Sequence, residues 1–151
     1  MISLLGILVN LFLAIWVIRT IQTRLNNKRI LKDHFINEMK DIRIEYKNLF
    51  TNLYGNQTYP KLLTPWFKLM NIKVNDLLEI MHDKYQIDKS ILLPYQLTLQ
   101  ELITNNVDFI TQFRLNKAIK FSEDSHIQFI KFQQDNNHLF NDIIIKINDA
   151  N

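Results

Sequence analysis

The 151-residue chain has no cysteine, which excludes disulfides, thiolate metal sites and cysteine nucleophiles. Glycine occurs twice and proline three times. A β-sheet protein of this size needs more turn residues than that to reverse direction every roughly eight to twelve residues. Long helices with few connections are the alternative, and the expected fold class is all-α. A third scarcity is local: Met1 to Ile18, MISLLGILVNLFLAIWVI, contains no charged side chain, and only Ser3 and Asn10 are polar. The chain as a whole is 47% hydrophobic and 22% charged, which suits a packed globular core and excludes a largely disordered polymer. Its net charge of +3 is concentrated mainly between Arg19 and Lys32.

At 1.5 Å rise per residue, residues 1–18 are just long enough to cross a hydrocarbon core of about 30 Å. A cleaved signal peptide would need a basic leading segment and a small-residue cleavage site, and neither is present. The segment therefore reads as an uncleaved transmembrane helix. Arg19, Arg24, Lys28, Arg29 and Lys32 follow it directly, while no side-chain cation precedes it. That asymmetry predicts a single pass through the cytoplasmic membrane, with the N-terminus outside and the C-terminal domain in the cytoplasm. Trp16 fits an interfacial aromatic anchor. Ser3, Gly6, Asn10 and Ala14, spaced three, four and four apart, fall on one stripe of the helix. Small residues let helices approach closely in lipid and a buried amide seeks a partner, so the stripe predicts self-association. The organisation expected is a span over 1–18, a basic neck over 19–34 and a helical bundle over 35–151.

Apolar residues continue at helical spacing through Ile36, Met39, Ile42, Tyr46, Leu49, Phe50 and Leu53 without a breaker, so one helix of roughly 50 residues is predicted, capped by Gly55. A second begins at Thr64-Pro65 and buries Phe67, Met70, Val74, Leu77, Leu78 and Met81, ending near Tyr85. A third is expected from Ser90–Pro94 to about Lys120, with Leu99, Leu102, Ile103, Phe109, Ile110 and Phe113 as core candidates. A fourth, capped by Ser122, has Ile127, Ile130, Phe140, Ile144 and Ile147 as its apolar face. Four helices with short connections imply an antiparallel up-down bundle.

Chemistry-bearing patterns are sparse. Arg29 and His34 match R-x4-H, in which an arginine stabilises phosphate charge and a histidine moves a proton near neutral pH. Five residues along an unbroken helix turn the two side chains about 140° apart, so they meet only if the helix breaks or two subunits share a site. Glu79-x-x-His82 and Glu123-x-x-His126, with Glu38, Glu45 and Glu101 elsewhere, echo a carboxylate di-iron bundle. Glu79 lies about 140° from the apolar face of its helix, so surface carboxylates are expected, with no metal and no cofactor. The neck cations suit anionic lipid headgroups.

An N-terminal span, a basic neck, a small helical domain and the Arg29–His34 pair together resemble the small membrane accessory proteins encoded beside RNA-guided RNA-cleaving effectors in type VI-B CRISPR systems. That resemblance implies a divergent HEPN-like helical domain and assembly into membrane pores that strengthen antiviral defence. The expected function is accordingly a non-enzymatic, pore- or channel-forming homo-oligomer. Its expected partners are other copies of itself and membrane lipid, with an RNA-guided effector protein as a further candidate and RNA left open. The alternatives are a membrane-tethered HEPN-like ribonuclease using Arg29 and His34, and a passive anchor whose bundle docks a cytoplasmic partner.

Overall fold

A computed structural model describes the backbone of residues 2–150 and the side chains of residues 11–150. Among the described residues the protein is all-helical, with six helices and no strand: α1 (Ile2–Tyr54), α2 (Pro60–Tyr85), α3 (Leu93–Thr104), α4 (Val107–Leu115), α5 (Glu123–Asn136) and α6 (Leu139–Asp149). The chain divides into two compact units, residues 1–34 and 35–151.

The first unit consists of the leading part of α1. Leu11, Phe12, Leu13, Ile15, Trp16, Val17 and Ile18 are all exposed. Farther along, the Thr20 and Thr23 hydroxyls donate to the carbonyls of Trp16 and Arg19, each at 2.8 Å, so the helix satisfies its own polar side chains there. Among the described residues no helix is long and apolar enough to cross a membrane. The first ten residues of the segment expected to span, with Ser3, Gly6 and Asn10, lie outside the described side chains.

The second unit is a helical bundle built on the rest of α1. Phe35, Met39, Ile42, Tyr46, Leu49 and Leu53 recur at three- and four-residue steps, with Phe50 beside Leu49, and all are buried, as a helix with one apolar stripe requires. Tyr46 is the meeting point of four helices: its ring packs edge-on against Trp66 of α2 at 5.5 Å and Tyr95 of α3 at 5.1 Å, and tilted against Phe140 of α6 at 6.0 Å. One turn later, Phe50 packs on Phe129 and Phe132 of α5. Such aromatic pairs bury large apolar areas and gain about 0.5–1.5 kcal/mol beyond area alone.

With few glycines, the helices end on other residues. After α1, Gln57 N–H donates to Asn52 carbonyl at 3.1 Å and Asn56 N–H to Leu53 carbonyl at 3.3 Å, the paired closing bonds of a Schellman motif. The left-handed residue there is Asn56, with φ 54°, and not Gly55, which the sequence had suggested as the cap. Gln86 and Asn116 take the same conformation after α2 and α4. Asparagine tolerates it better than most side chains because its short amide bonds locally.

Four further expectations are corrected. Helix α2 starts at Pro60, whose fixed φ suits the first helical position, and Pro65 lies inside the helix. The expected third helix is two helices, α3 and α4, separated at Asn105–Asn106, and it stops at Leu115. The break is driven by capping: Asn106 turns extended and its side chain accepts from the Asp108 N–H at 2.9 Å. The expected fourth helix is also divided, at Asn137–His138. Its inward face is Ser125, Phe129 and Phe132, continued by Phe140, Ile143 and Ile147, whereas Ile127 and Ile130 are exposed, as are Ile110 and Phe113 of α4. The rings of Phe129 and Phe132 bury more apolar area than the two isoleucines would, and they share the phase of the α6 core residues.

Candidate functional site

The basic neck is a run of exposed cations. Arg19, Arg24, Lys28 and Arg29 are exposed, and Lys32 is half-buried. Arg29 lies 4.0 Å from Asp33 one turn away, with both side chains largely in solvent. Such a pair contributes little, about 0–1 kcal/mol. Helix α1 runs unbroken through Arg29 and His34, so within one chain the two side chains diverge around the helix and form no common site. Ala14 is exposed on the same helix.

The two Glu-x-x-His pairs do not converge either. Glu79 and Glu123 are exposed, as is Glu101 on α3. The His82 Nδ1 is 2.9 Å from the Ile87 carbonyl, where an Nδ1–H donates and ties the end of α2 to the following loop. Glu45 accepts from the Lys73 ammonium at 2.6 Å, and that bond is the main cause that raises the Lys73 pKa above its ordinary value. Among the described residues, no group of three or more acidic or histidine side chains is placed to hold a metal ion.

His126 instead belongs to a polar knot between α4 and α5. The Asp108 carboxylate accepts from the Ser122 N–H at 2.9 Å and the Ser125 hydroxyl at 3.2 Å. The Asn106 amide donates to the Ser125 hydroxyl at 2.8 Å, and the Ser122 side chain caps α5 by accepting from the Ser125 N–H. The backbone bond from Ser122 is the first cause that holds the Asp108 pKa below the usual carboxylate value. Serine, histidine and aspartate thus lie close together, but Ser125 is buried and its hydroxyl is engaged by Asn106, Ser122 and Asp108. The arrangement fixes two helix starts and leaves no nucleophile poised for attack. The His126 ring packs against Tyr54, Phe121 and Phe129, and its Nε2, like the Tyr54 hydroxyl, is buried without a hydrogen-bond partner among the described residues.

Sequence reasoning did not anticipate one concavity of the second unit. A cleft of about 350 Å³ opens between α1 and the α5–α6 junction, with an aromatic floor of Tyr46, Phe50, Tyr95 and Phe140. Arg43 and Lys47, one turn apart on α1, stand on one side, and Gln133, Gln134, Asn136 and Asn137 on the other. The Arg43 guanidinium donates to the Asn141 and Asn137 side-chain oxygens at 2.8 and 2.9 Å. These are neutral partners, and among the described residues no carboxylate lines the cleft. Burial pushes the Tyr46 hydroxyl up to about 12 and raises the Tyr95 hydroxyl further, so both stay protonated across the physiological range. Tyr46, Phe50 and Phe140 were visible in the sequence as apolar-stripe residues. Their common wall could not be seen before α5 and α6 were placed across from α1.

Comparison of the chain with protein-family models, curated proteins and solved structures gives no match. The fold and its surfaces therefore define a class only: an all-helical bundle preceded by a helical segment with an uncovered apolar surface and a cationic neck.

Proposed function

We propose that the chain is a membrane-anchored homo-oligomer that forms a pore or channel. Residues 1–18 act as its transmembrane helix and residues 35–151 as a cytoplasmic, up-down, HEPN-like bundle. One observation carries the reading: Leu11, Phe12, Leu13, Ile15, Trp16, Val17 and Ile18 are uncovered on α1, in the first unit, immediately ahead of the cations Arg19, Arg24, Lys28 and Arg29. An apolar surface of this extent needs lipid or another chain to cover it. In sequence it continues the uncharged run from Met1.

Covering it with lipid places the neck cations at the headgroups, each attracted by about 1 kcal/mol near an anionic surface. Helices that associate through Ser3, Gly6, Asn10 and Ala14 would then line a polar path with a cationic mouth. The resemblance to accessory proteins of type VI-B CRISPR systems extends the proposal to antiviral defence, with an RNA-guided effector as partner.

The test is sizing of detergent-extracted protein together with dye release from liposomes. An oligomer that makes liposomes leaky is expected, and a monomer at all concentrations overturns the reading. Asn10→Leu should insert at least as well as the parent, because leucine enters the bilayer more favourably than asparagine. It should weaken the oligomer by about 0.6–2 kcal/mol per interhelical bond lost and reduce leakage. Replacement of residues 2–17 by polyleucine with no loss of leakage would instead identify a passive anchor.

A further inference from the structure

We infer that the cleft between α1 and the α5–α6 junction is a binding site for a small aromatic anion, a flat ring carrying a phosphate or carboxylate group. The inference is independent of membrane anchoring, because every residue it uses belongs to the second compact unit.

Three properties of the cleft select this chemistry. Its floor is made of ring faces and edges, which favour a flat apolar body over a branched or strongly hydrated one. Its two charged groups, Arg43 and Lys47, are both cationic and take part in no ion pair among the described residues. With no carboxylate in the lining, a cation finds no counter-charge there, whereas an anion finds a guanidinium already oriented by two amides.

The third property is an unused hydrogen-bonding group. Tyr95 is only 6% exposed and lines the cleft, yet its hydroxyl has no hydrogen-bond partner among the described residues. Tyr46 differs, since its hydroxyl accepts from the Gln96 amide at 3.3 Å. The Tyr95 oxygen is not sealed from solvent, so it stays available to a ligand in the cleft. Protonated at physiological pH, it can donate to an anionic oxygen. The cleft is large enough for one ring and its acidic group, not for a folded partner.

The test uses the full-length protein in detergent and phenyl phosphate as the probe, titrated by calorimetry beside benzoate, inorganic phosphate and phenol. Saturable binding of phenyl phosphate or benzoate is expected, each tighter than phosphate or phenol, and the stronger of the two identifies the preferred acidic group. Arg43→Met should weaken binding about tenfold or more, the usual effect of losing a charge-assisted hydrogen bond. Arg43 also holds Asn137 and Asn141, so Lys47→Gln and Tyr95→Phe serve as variants that leave those bonds in place. Each should weaken binding by a smaller but measurable factor. No saturable heat up to about 10 mM probe overturns the inference, since that limit corresponds to negligible affinity. So does phosphate or phenol binding as tightly as phenyl phosphate and benzoate, or unchanged affinity in both Lys47→Gln and Tyr95→Phe.

Discussion

Replacing Phe129 by alanine tests which face of α5 holds the bundle together. The Phe129 ring is fully buried, 4.8 Å from the Phe121 ring, which it meets edge-on, and 6.3 Å from the Phe50 ring. Truncation removes most of an aromatic side chain and leaves a cavity between α1, α5 and the strand-free segment before α5, so the loss should be about 3–5 kcal/mol. That is a large share of the 5–15 kcal/mol typical of a domain. Ile130, the next residue, is 46% exposed, and Ile127 is 57% exposed. Each isoleucine truncated to alanine should cost only about 1 kcal/mol or less, in keeping with its partial burial. The assay is urea unfolding of the full chain in detergent, followed by Trp66 fluorescence in a Trp16→Phe background. Trp66 packs 5.5 Å from Tyr46 and reports on the bundle. Unchanged dependence on urea concentration would show that midpoint shifts reflect stability alone. If Ile127→Ala or Ile130→Ala destabilised the protein as much as Phe129→Ala, α5 would be turned the other way and the reasoning would fail.

Tyr46→Phe should cost about 1–3 kcal/mol in the same assay, because it strips the partner from the buried Gln96 amide, and Gln96→Leu in that background should recover part of the loss. Full stability in Tyr46→Phe would refute that bond. Asp108→Ala removes the acceptor for Ser122 N–H and the Ser125 hydroxyl and should cost about 1–3 kcal/mol, read as faster amide exchange at the start of α5. Because the folded Asp108 pKa lies below its ordinary 3.8, its contribution is complete above that value and disappears as pH falls through the lower folded value. Amide exchange at Ser122 that stays flat through this acid window would contradict the assignment. Gln86→Gly should raise stability by about 0.5–1 kcal/mol, since Gln86 sits at φ 56° where glycine meets no steric penalty, and a lowered urea midpoint would refute it.

The legibility of the fold followed helix length. In α1 and α2 the buried stripes Met39 to Leu53 and Phe67 to Met81 could be read from spacing alone, because over about four turns one phase collects most of the large apolar residues. In α5 and α6, isoleucines and phenylalanines offer two competing phases over a few turns. The choice rests on which one meets Phe50 and Tyr46, long-range contacts that local spacing does not encode. The division of α3 from α4 was hidden for a similar reason. Asn106 caps α4 through the Asp108 N–H, and its amide is completed by Ser125 of α5, a residue 19 positions away that local spacing does not bring near.

The candidate sites divide in the same way. Composition and order along the chain settle that residues 1–18 are uncharged and apolar, that cations follow them, and that the remainder is helical, since these properties belong to each residue and its near neighbours. The separation of Arg29 from His34 needed only the 3.6-residue turn and the continuity of α1. The cleft needed the tertiary structure. Arg43 and Asn141 are 98 residues apart in sequence, and their 2.8 Å bond exists because α6 folds back beside α1 with Tyr95 of α3 beneath. A concave surface is a relation between distant segments, so packing alone decides whether it forms.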